Sequence, residues 1–423
     1  MEINHEHNGA RAATADFLAH RALALYYSGV PKSDIGRQVR EIYEQRPYPT
    51  PGQDSVAKSR QQLPPFEWIR TMCALRQPSP KRILVAGCGT GAEAFALQKR
   101  FPDAEVVGVD FSSSSVLQAK VLQKRVAPGS QMRLLVGDLT DRKFMSSLGN
   151  NFDFISCHGV LSYIPQPARA LRNISRCLGA DGALYLGVNS AAHFSAKGRP
   201  ALRALGLDVK KLPPERELRH VLRLCDALAV EADGQKAKLP LNYLAGDLFG
   251  PLIHNLSLSR WVRLAQDAGL AFAGHYYAFR KVRGAINERL LDVLRPRSRA
   301  EVHILIDHLD PSGFHQMVFS KRPSISPTWQ QKLTLNLHAV MTSLYQIAPT
   351  RKRKLLRLKS LPINTLVEID SAGWEDQFLN RATGATTVGQ IWRELPQRVG
   401  WESLCKRLYL FYQLGLINFE KAS

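Results

Sequence analysis

The sequence predicts an α/β protein built on a doubly wound, mostly parallel sheet, and three observations carry that prediction. From residue 82 onward, short apolar runs alternate with amphipathic segments at helical spacing, the rhythm of successive βαβ units. A glycine-rich turn, Gly87-Cys88-Gly89-Thr90-Gly91, stands between the first run and the first helix. The 423 residues are 45% apolar and 22% charged, which excludes fibrous, collagen-like and wholly disordered chains and leaves room for two or three cores.

The elements follow in order. Residues 12–28 and 33–44 read as helices separated by Gly29-Val30-Pro31. Prolines at 47, 49 and 51 then force a non-helical segment, because each removes a donor and drives its predecessor to extended backbone. Ile83–Ala86, Glu105–Val109, Arg133–Val136, Phe152–Cys157 and Ala183–Val188 read as strands. Helices at Gly91–Phe101, Ser112–Val126 and Ala168–Leu178 lie between them, the second entered through serines able to cap it. After 190 comes a basic, mostly helical insert, then a helix and strand within 257–278 (strand Ala271–Ala278) and a final strand at Gly313–Ser320. Arg322-Pro323-Ser324-Ile325-Ser326-Pro327 reads as a linker. Beyond it, helices marked by Val388/Ile391/Trp392/Leu395 and Trp401/Leu404/Leu408/Phe411, then a strand at Leu416–Phe419, suggest a small, mostly helical, winged-helix-like unit. The expected domains are a helical lid (1–63), the sheet domain (64–322) with its insert at about 192–300, and a regulatory or interaction domain (323–423).

Charge is the unusual number: 57 Lys and Arg against 36 Asp and Glu, a net +21. The insert alone holds 19 bases and 10 acids, so the excess is central and not a flexible tail. It raises nucleic acid and acidic molecules as partners. No 18-residue apolar run and no signal-like start occur, which implies a cytoplasmic protein without integral membrane association. The six cysteines are scattered, without CxxC or zinc spacing, as expected for reduced thiols and no metal. Arg351-Lys352-Arg353-Lys354, with Arg357 and Lys359, reads first as a solvated helical face and second as a phosphate contact.

The glycine turn is placed to let a ligand approach the backbone at a helix amino terminus. Asp110 ends the next strand, 23 residues after Gly87, where a carboxylate can accept from both hydroxyls of a ribose. A dinucleotide oxidoreductase would place a third glycine three residues after the second; here the spacing is G-x-G-x-G and position 92 is Ala.

With these features the stretch resembles the class I S-adenosylmethionine-dependent methyltransferases, which share a Rossmann-like sheet. The likeness extends to Gly137-Asp138-Leu139 after the third strand, where that family sets an acid against the adenine amino group. It continues through Phe152-Asp153-Phe154-Ile155, Cys157-His158-Gly159-Val160-Leu161 and the turn Gly179-Ala180-Asp181-Gly182. The sequence is most similar to bacterial methyltransferases with a Tyr-x-x-x-Pro-Tyr-Pro-like segment, here Tyr43 to Pro49, and an appended regulatory-type domain; some of these look like protein methyltransferases. The likeness covers about residues 35–320.

The resemblance implies S-adenosyl-L-methionine as cofactor, held by Gly87, Cys88, Gly89, Thr90, Gly91, Asp110, Phe111, Asp138, Leu139, Cys157 and His158. Two departures matter. Val85 stands where many relatives have an acid that orients the methionine ammonium, so backbone carbonyls near Gly87 or Cys157 are one substitute. Leu161-Ser162-Tyr163 replaces the usual Leu-His-His, leaving His158 as the nearest imidazole. His158 is thus read as a cofactor contact, a base or a strand-end packing residue, and Asp138 as an adenine contact or a helix cap. Tyr43 and Tyr48 either close a lid over the reacting groups or anchor the loop. Tyr163, Asn189 and His254 are candidate substrate contacts, as is Tyr243.

Methyl transfer needs positioning and water exclusion more than a triad or metal. The expected activity is transfer to N or O of a peptide, protein or small molecule. The alternatives are an RNA methyltransferase, against which stands the lack of a base-flipping Pro-Pro-Tyr motif or catalytic Pro-Cys, and a non-catalytic cofactor-binding regulator.

Overall fold

The computed structural model describes residues 32–421 apart from 51, 212, 215, 218, 221–222, 224–245, 277–296, 342–344, 350–353, 359–365, 370–373, 396–397 and 414. The helix expected at 12–28, Tyr243, Cys225, and the bases at 351–353 and 359 lie outside the described residues.

Seven strands form the central sheet: β1 (Arg82–Ala86), β2 (Glu105–Asp110), β3 (Arg133–Val136), β4 (Phe152–His158), β5 (Leu178–Asn189), β6 (Ala271–His275) and β7 (Phe314–Ser320). Their order is β3-β2-β1-β4-β5-β7-β6. The first five are parallel and β7 runs antiparallel between β5 and β6. The chain's last sheet strand is therefore interior, and the earlier β6 occupies the edge.

Strand alternation assigns each face its own core. Ile83, Val85, Phe154 and Tyr185 pack on one side with Phe66, Trp68 and Phe95. Leu84, Ala86, Ile155, Leu184 and Leu186 pack on the other with Leu171, Ile174 and Trp261. Helices on both faces explain why β1 and β2 read as continuous apolar runs. Ser112 caps the helix Ser113–Val126 by accepting from Ser115 N at 3.1 Å, as its sequence anticipates.

One expected turn is strand instead. Residues 179–182 belong to β5, whose pairing with β4 shifts register between Phe152 and Phe154. A Cβ on Gly182 would come within 2.6 Å of the Phe152 carbonyl oxygen, so the glycine lets the irregular strand lie flat against its neighbour. The strand expected at 271–278 ends at His275.

The chain beyond 322 carries more strand than its sequence suggests. Its helices Val388–Arg393 and Trp401–Gln413 and the strand β13 (Ile417–Lys421) occur as expected. The strands β8 (Leu337–Met341) and β12 (Thr383–Thr387) complete a three-stranded antiparallel sheet, in order β12-β8-β13. A second such sheet is made of β9 (Tyr345–Pro349), β10 (Lys354–Leu358) and β11 (Leu366–Ile369). The basic run thus enters a strand at Lys354, not a solvated helix; the antiparallel partners of β10 on both sides outweigh the helix-forming character of its bases. The linker is tied down too, by a bridge from Ile325 to Phe419.

Buried Arg299 holds this part to the sheet domain. Its guanidinium donates to the carbonyls of Tyr412 and Ala273, each at 2.9 Å, and lies 3.7 Å from the Tyr412 ring centroid. Nearby, Asn418 Nδ2 donates to the Thr71 carbonyl at 2.8 Å and His303 Nε2 to that of Gln413 at 2.8 Å. Arg299→Met keeps most of the apolar contact but removes the guanidinium donors from the buried carbonyls of Ala273, Tyr412 and Ile417, of which Tyr412 O keeps only the Gly415 N–H. It is expected to lower stability in urea unfolding by about 2–4 kcal/mol, and an unchanged midpoint would count against this clamp.

Candidate active site

The sheet reverses direction of winding between β1 and β4, and a cavity of 1590 Å³ opens there at the carboxyl ends of the strands. Its floor is the glycine turn. Gly87 and Gly89 have φ of +82° and +50°, backbone that side chains disfavour. Close approach makes the requirement stricter: a Cβ on Gly87 would overlap the Val160 side chain, and one on Gly89 the Tyr48 carbonyl oxygen.

That carbonyl belongs to the Pro-restrained segment, which is bound directly to the glycine turn. Thr90 N donates to Tyr48 O at 3.2 Å and Thr90 Oγ1 to Pro49 O at 2.6 Å, across a cis Tyr48–Pro49 bond. The preceding helix, Lys32–Gln45, is held at its other contact by Glu44, whose carboxylate accepts from Ser113 N at 2.7 Å and Ser114 N at 2.8 Å. An anion at the amino terminus of the helix Ser113–Val126 is favoured by its unpaired donors and dipole.

Asp110 ends β2 with its carboxylate in the cavity wall. Oδ2 accepts from Gly89 N and Oδ1 from Ser112 N, both at 2.9 Å. Burial pushes its pKa up to about 6, against the lowering effect of those N–H groups. Each oxygen keeps acceptor capacity for a ligand hydroxyl. Phe111 and Leu139 line the same end, and Asp138 does so while its Oδ1 accepts from Thr140 N at 2.7 Å. Asp138 therefore serves a local turn as well as the cavity.

At the β4 end, His158 lies across β5, where Gly187 has no side chain to obstruct it. Its Nδ1 is 3.2 Å from the Tyr185 hydroxyl and 3.6 Å from Glu93 Oε2, and its ring faces Phe314. Burial lowers its pKa to about 4, so the imidazole is neutral at physiological pH. Burial pushes Glu93 up to about 7.

An aromatic roof closes the opposite side. Tyr43 contacts Phe111 (centroids 6.0 Å) and Tyr163 edge-on (6.3 Å). Tyr163 donates to Asp247 and accepts from Asn189 Nδ2 at 3.3 Å. Burial first, then Asp247, raises the Tyr163 and Tyr43 pKa values, keeping both phenols protonated. Leu252 of the insert packs with Ile35 and Val39 of the lid helix, so insert and lid form one cover.

Of the residues the sequence singles out, Gly87, Cys88, Gly89, Asp110, Phe111, Asp138, Leu139 and His158 line the cavity, as do Tyr43, Tyr48, Tyr163 and Asn189. The other described ones lie elsewhere. Thr90 faces the lid, Gly91 sits over Phe95, and Cys157 is buried in the core on the far face of the sheet. His254 donates its backbone N–H to Ser162 O at 2.7 Å and places Nε2 3.0 Å from Ile164 O, joining the insert to the β4 exit. Ser162 itself accepts from Asn189 N at 2.8 Å, a structural use of the position where an imidazole was missing. Glu93 and Asp247 are cavity residues that sequence reasoning missed. The signal for Glu93 was an acid in the first helical turn after the glycines; Asp247 carried none.

Comparison with known proteins agrees with this geometry. The family described as "Methyltransferase domain" matches residues 84–184. The chain is 27% identical to an uncharacterized protein of Synechococcus over 208 residues, 47% of this chain and 46% of that one. It is 29% identical to trans-aconitate 2-methyltransferase of Deinococcus radiodurans over 118 residues, 28% of this chain and 41% of the relative. It thus spans less than half the length of these relatives. Among solved structures, PKMT2 from Rickettsia typhi has the same fold at a TM-score of 0.54 and 16% identity, covering 88% of this chain and 78% of that one. A second structure of that protein, in complex with AdoHcy, gives 0.52 and 14%, covering 86% and 76%. No described helix is long and apolar enough to cross a membrane, and no described cluster of His, Cys, Asp and Glu is suited to a metal ion.

The Glu93 carboxyl gives a pH test. Its titratable neighbours, His158 and Cys157 on β4 and Cys88 in the turn, are kept neutral near pH 7 by burial. A folded-state pKa near 7, above the unfolded value of about 4.3, means that the ligand-free fold binds the extra proton. Its stabilising contribution is complete below pH 4 and is lost as pH rises through 7. Glu93→Gln should therefore flatten the pH dependence of unfolding between pH 4 and 8 and raise ligand-free stability at pH 8 by about 2–3 kcal/mol. Parallel profiles for variant and parent would refute the assignment.

Proposed function

We propose that residues 84–184, which match the family described as "Methyltransferase domain", act as a class I, S-adenosylmethionine-dependent methyltransferase domain, and that the whole chain transfers a methyl group to N or O of a peptide, protein or small-molecule acceptor. The observation that carries this reading is the meeting of the glycine turn, Asp110 and the aromatic lid in one cavity.

The residues present fit the cofactor. Gly87 and Gly89 leave backbone open to it, Asp110 offers two oxygens to ribose hydroxyls, and Phe111, Asp138 and Leu139 surround the adenine end. The bound cofactor supplies a methyl group already activated by its sulfonium. The chain's own contribution is to orient the acceptor's lone pair and keep water out. Tyr43, Tyr48 and Tyr163 roof the cavity in protonated form, bringing hydroxyl donors without negative charge. His158 enters as the neutral imidazole; its lowered basicity suits orienting an acceptor more than taking a proton from it. Asn189 lies beside Tyr163 as a further acceptor contact, whereas His254 acts by holding the insert in place.

An acceptor with negative charge away from the reacting atom suits the lid side of the cavity, which Arg40 and Lys58 line together with Arg37, itself paired with Asp34. The same bases favour RNA as the second reading. We retain the lid, sheet domain and C-terminal regulatory or interaction domain, divided near 63 and 322, as functional units.

Calorimetry with S-adenosylmethionine should show binding that Asp110→Ala weakens by at least about tenfold, or 1.4 kcal/mol. Absence of binding to the intact protein would refute the enzyme reading. Labelled cofactor with fractionated lysate should mark protein or small molecules; a labelled RNA fraction, with tRNA affinity falling steeply in salt, would establish the second reading instead.

A further inference from the structure

A cofactor with a nucleoside at one end and a zwitterionic amino acid at the other must span the switch point. Asp110 and Leu139 fix the nucleoside end at β2 and β3, so the amino-acid end lies toward β1 and β4. An ammonium placed there is costly to bury without an anion. The strand before the glycine turn provides none, since Val85 is 2% exposed within the apolar core. The wall carboxylate set against the β4 end is Glu93, 3.6 Å from His158 and in the first turn of the nine-residue helix Ala92–Arg100.

Three observations show that Glu93 is built to receive a cation. Its Oε1 is inaccessible to solvent and has no hydrogen-bond partner. The basic group set against it among the described residues, His158 at 3.6 Å, is neutral at physiological pH, so no described cation compensates the carboxylate. Gln316, 4% exposed and in the same cavity wall, likewise has a buried Oε1 without a partner, a second acceptor in a region rich in acceptors. The register His158–Gly187–Gln316 across β4, β5 and β7 puts this acceptor on the same sheet row as His158.

Resting on the reading of this cavity as an S-adenosylmethionine site, we propose that Glu93 binds the α-ammonium of the cofactor's methionine end, doing from the helix what no acid at position 85 can do from the strand. An ammonium opposite the carboxylate favours its ionised form, which couples its deprotonation to cofactor binding.

S-Adenosylhomocysteine carries the ammonium and 5′-methylthioadenosine lacks the whole amino-acid end, so the two separate the contributions. In calorimetry at pH 8 the intact protein should bind both. Glu93→Gln, nearly isosteric, should weaken S-adenosylhomocysteine about 10- to 100-fold and leave 5′-methylthioadenosine within about threefold. Glu93→Asp should fall between, and circular dichroism should confirm that both variants fold. Unchanged affinity for S-adenosylhomocysteine would overturn the proposal and return the ammonium to backbone carbonyls. Equal losses for both ligands would also overturn it, showing a general packing role. Failure of the intact protein to bind either compound would instead refute the cofactor site itself.

Discussion

The contact on which the site depends is backbone to backbone: the Tyr48 carbonyl resting on Gly89, with Thr90 bonded to both Tyr48 and Pro49. A side chain at 89 would expel the lid, and a lid without its carbonyls there would leave Thr90's donors unpaired in a buried place. The glycine turn thus serves two partners at once. One face is left bare for a ligand and the other receives the Pro-restrained segment, so the cover is attached to the floor of the cavity and not merely laid over it.

Around this contact the charges are arranged at some expense in stability. Asp110 and Glu93 are both buried and both shifted upward, while His158 is held neutral. Hydrogen bonds satisfy Asp110 within the fold, but Glu93 retains an oxygen with nothing opposite it. Buried polar groups without partners are rare where only stability is at stake and gather where a ligand completes the pairing. The aromatic roof has the complementary property, since its phenols stay protonated and add hydrogen-bonding capacity without adding charge.

The regions outside the sheet domain are joined to it by buried polar contacts as well as apolar packing. Arg299 and Asn418 bind backbone carbonyls across the junction with the C-terminal part, and the insert reaches the lid through Leu252 and the roof through Asp247. Cover, floor and tail are consequently one connected structure, in which a change in the tail has a physical route to β6 and the helix Phe66–Met72.

The sequence by itself determined the features that depend on short-range spacing. Continuous apolar runs between helices at 3.6 spacing located the first four strands to within a residue at either end, and the second half of β5, which starts five residues before its expected beginning. Positive-φ glycines and Asp110 located the ligand end of the sheet, because turn geometry and strand alternation are local properties. Tertiary structure decided what depends on residues far apart. The antiparallel β7 enters between β5 and β6; the strand at Lys354 exists because β9 and β11 flank it; Thr90 turns to the lid and Cys157 to the core; and His254 becomes a joint of the insert. Glu93 shows the division most clearly. Its position in a first helical turn was legible, but its loss of water and of any compensating cation follows only from the packing of β4, β5 and the lid around it, and desolvation by distant groups is what no local pattern records.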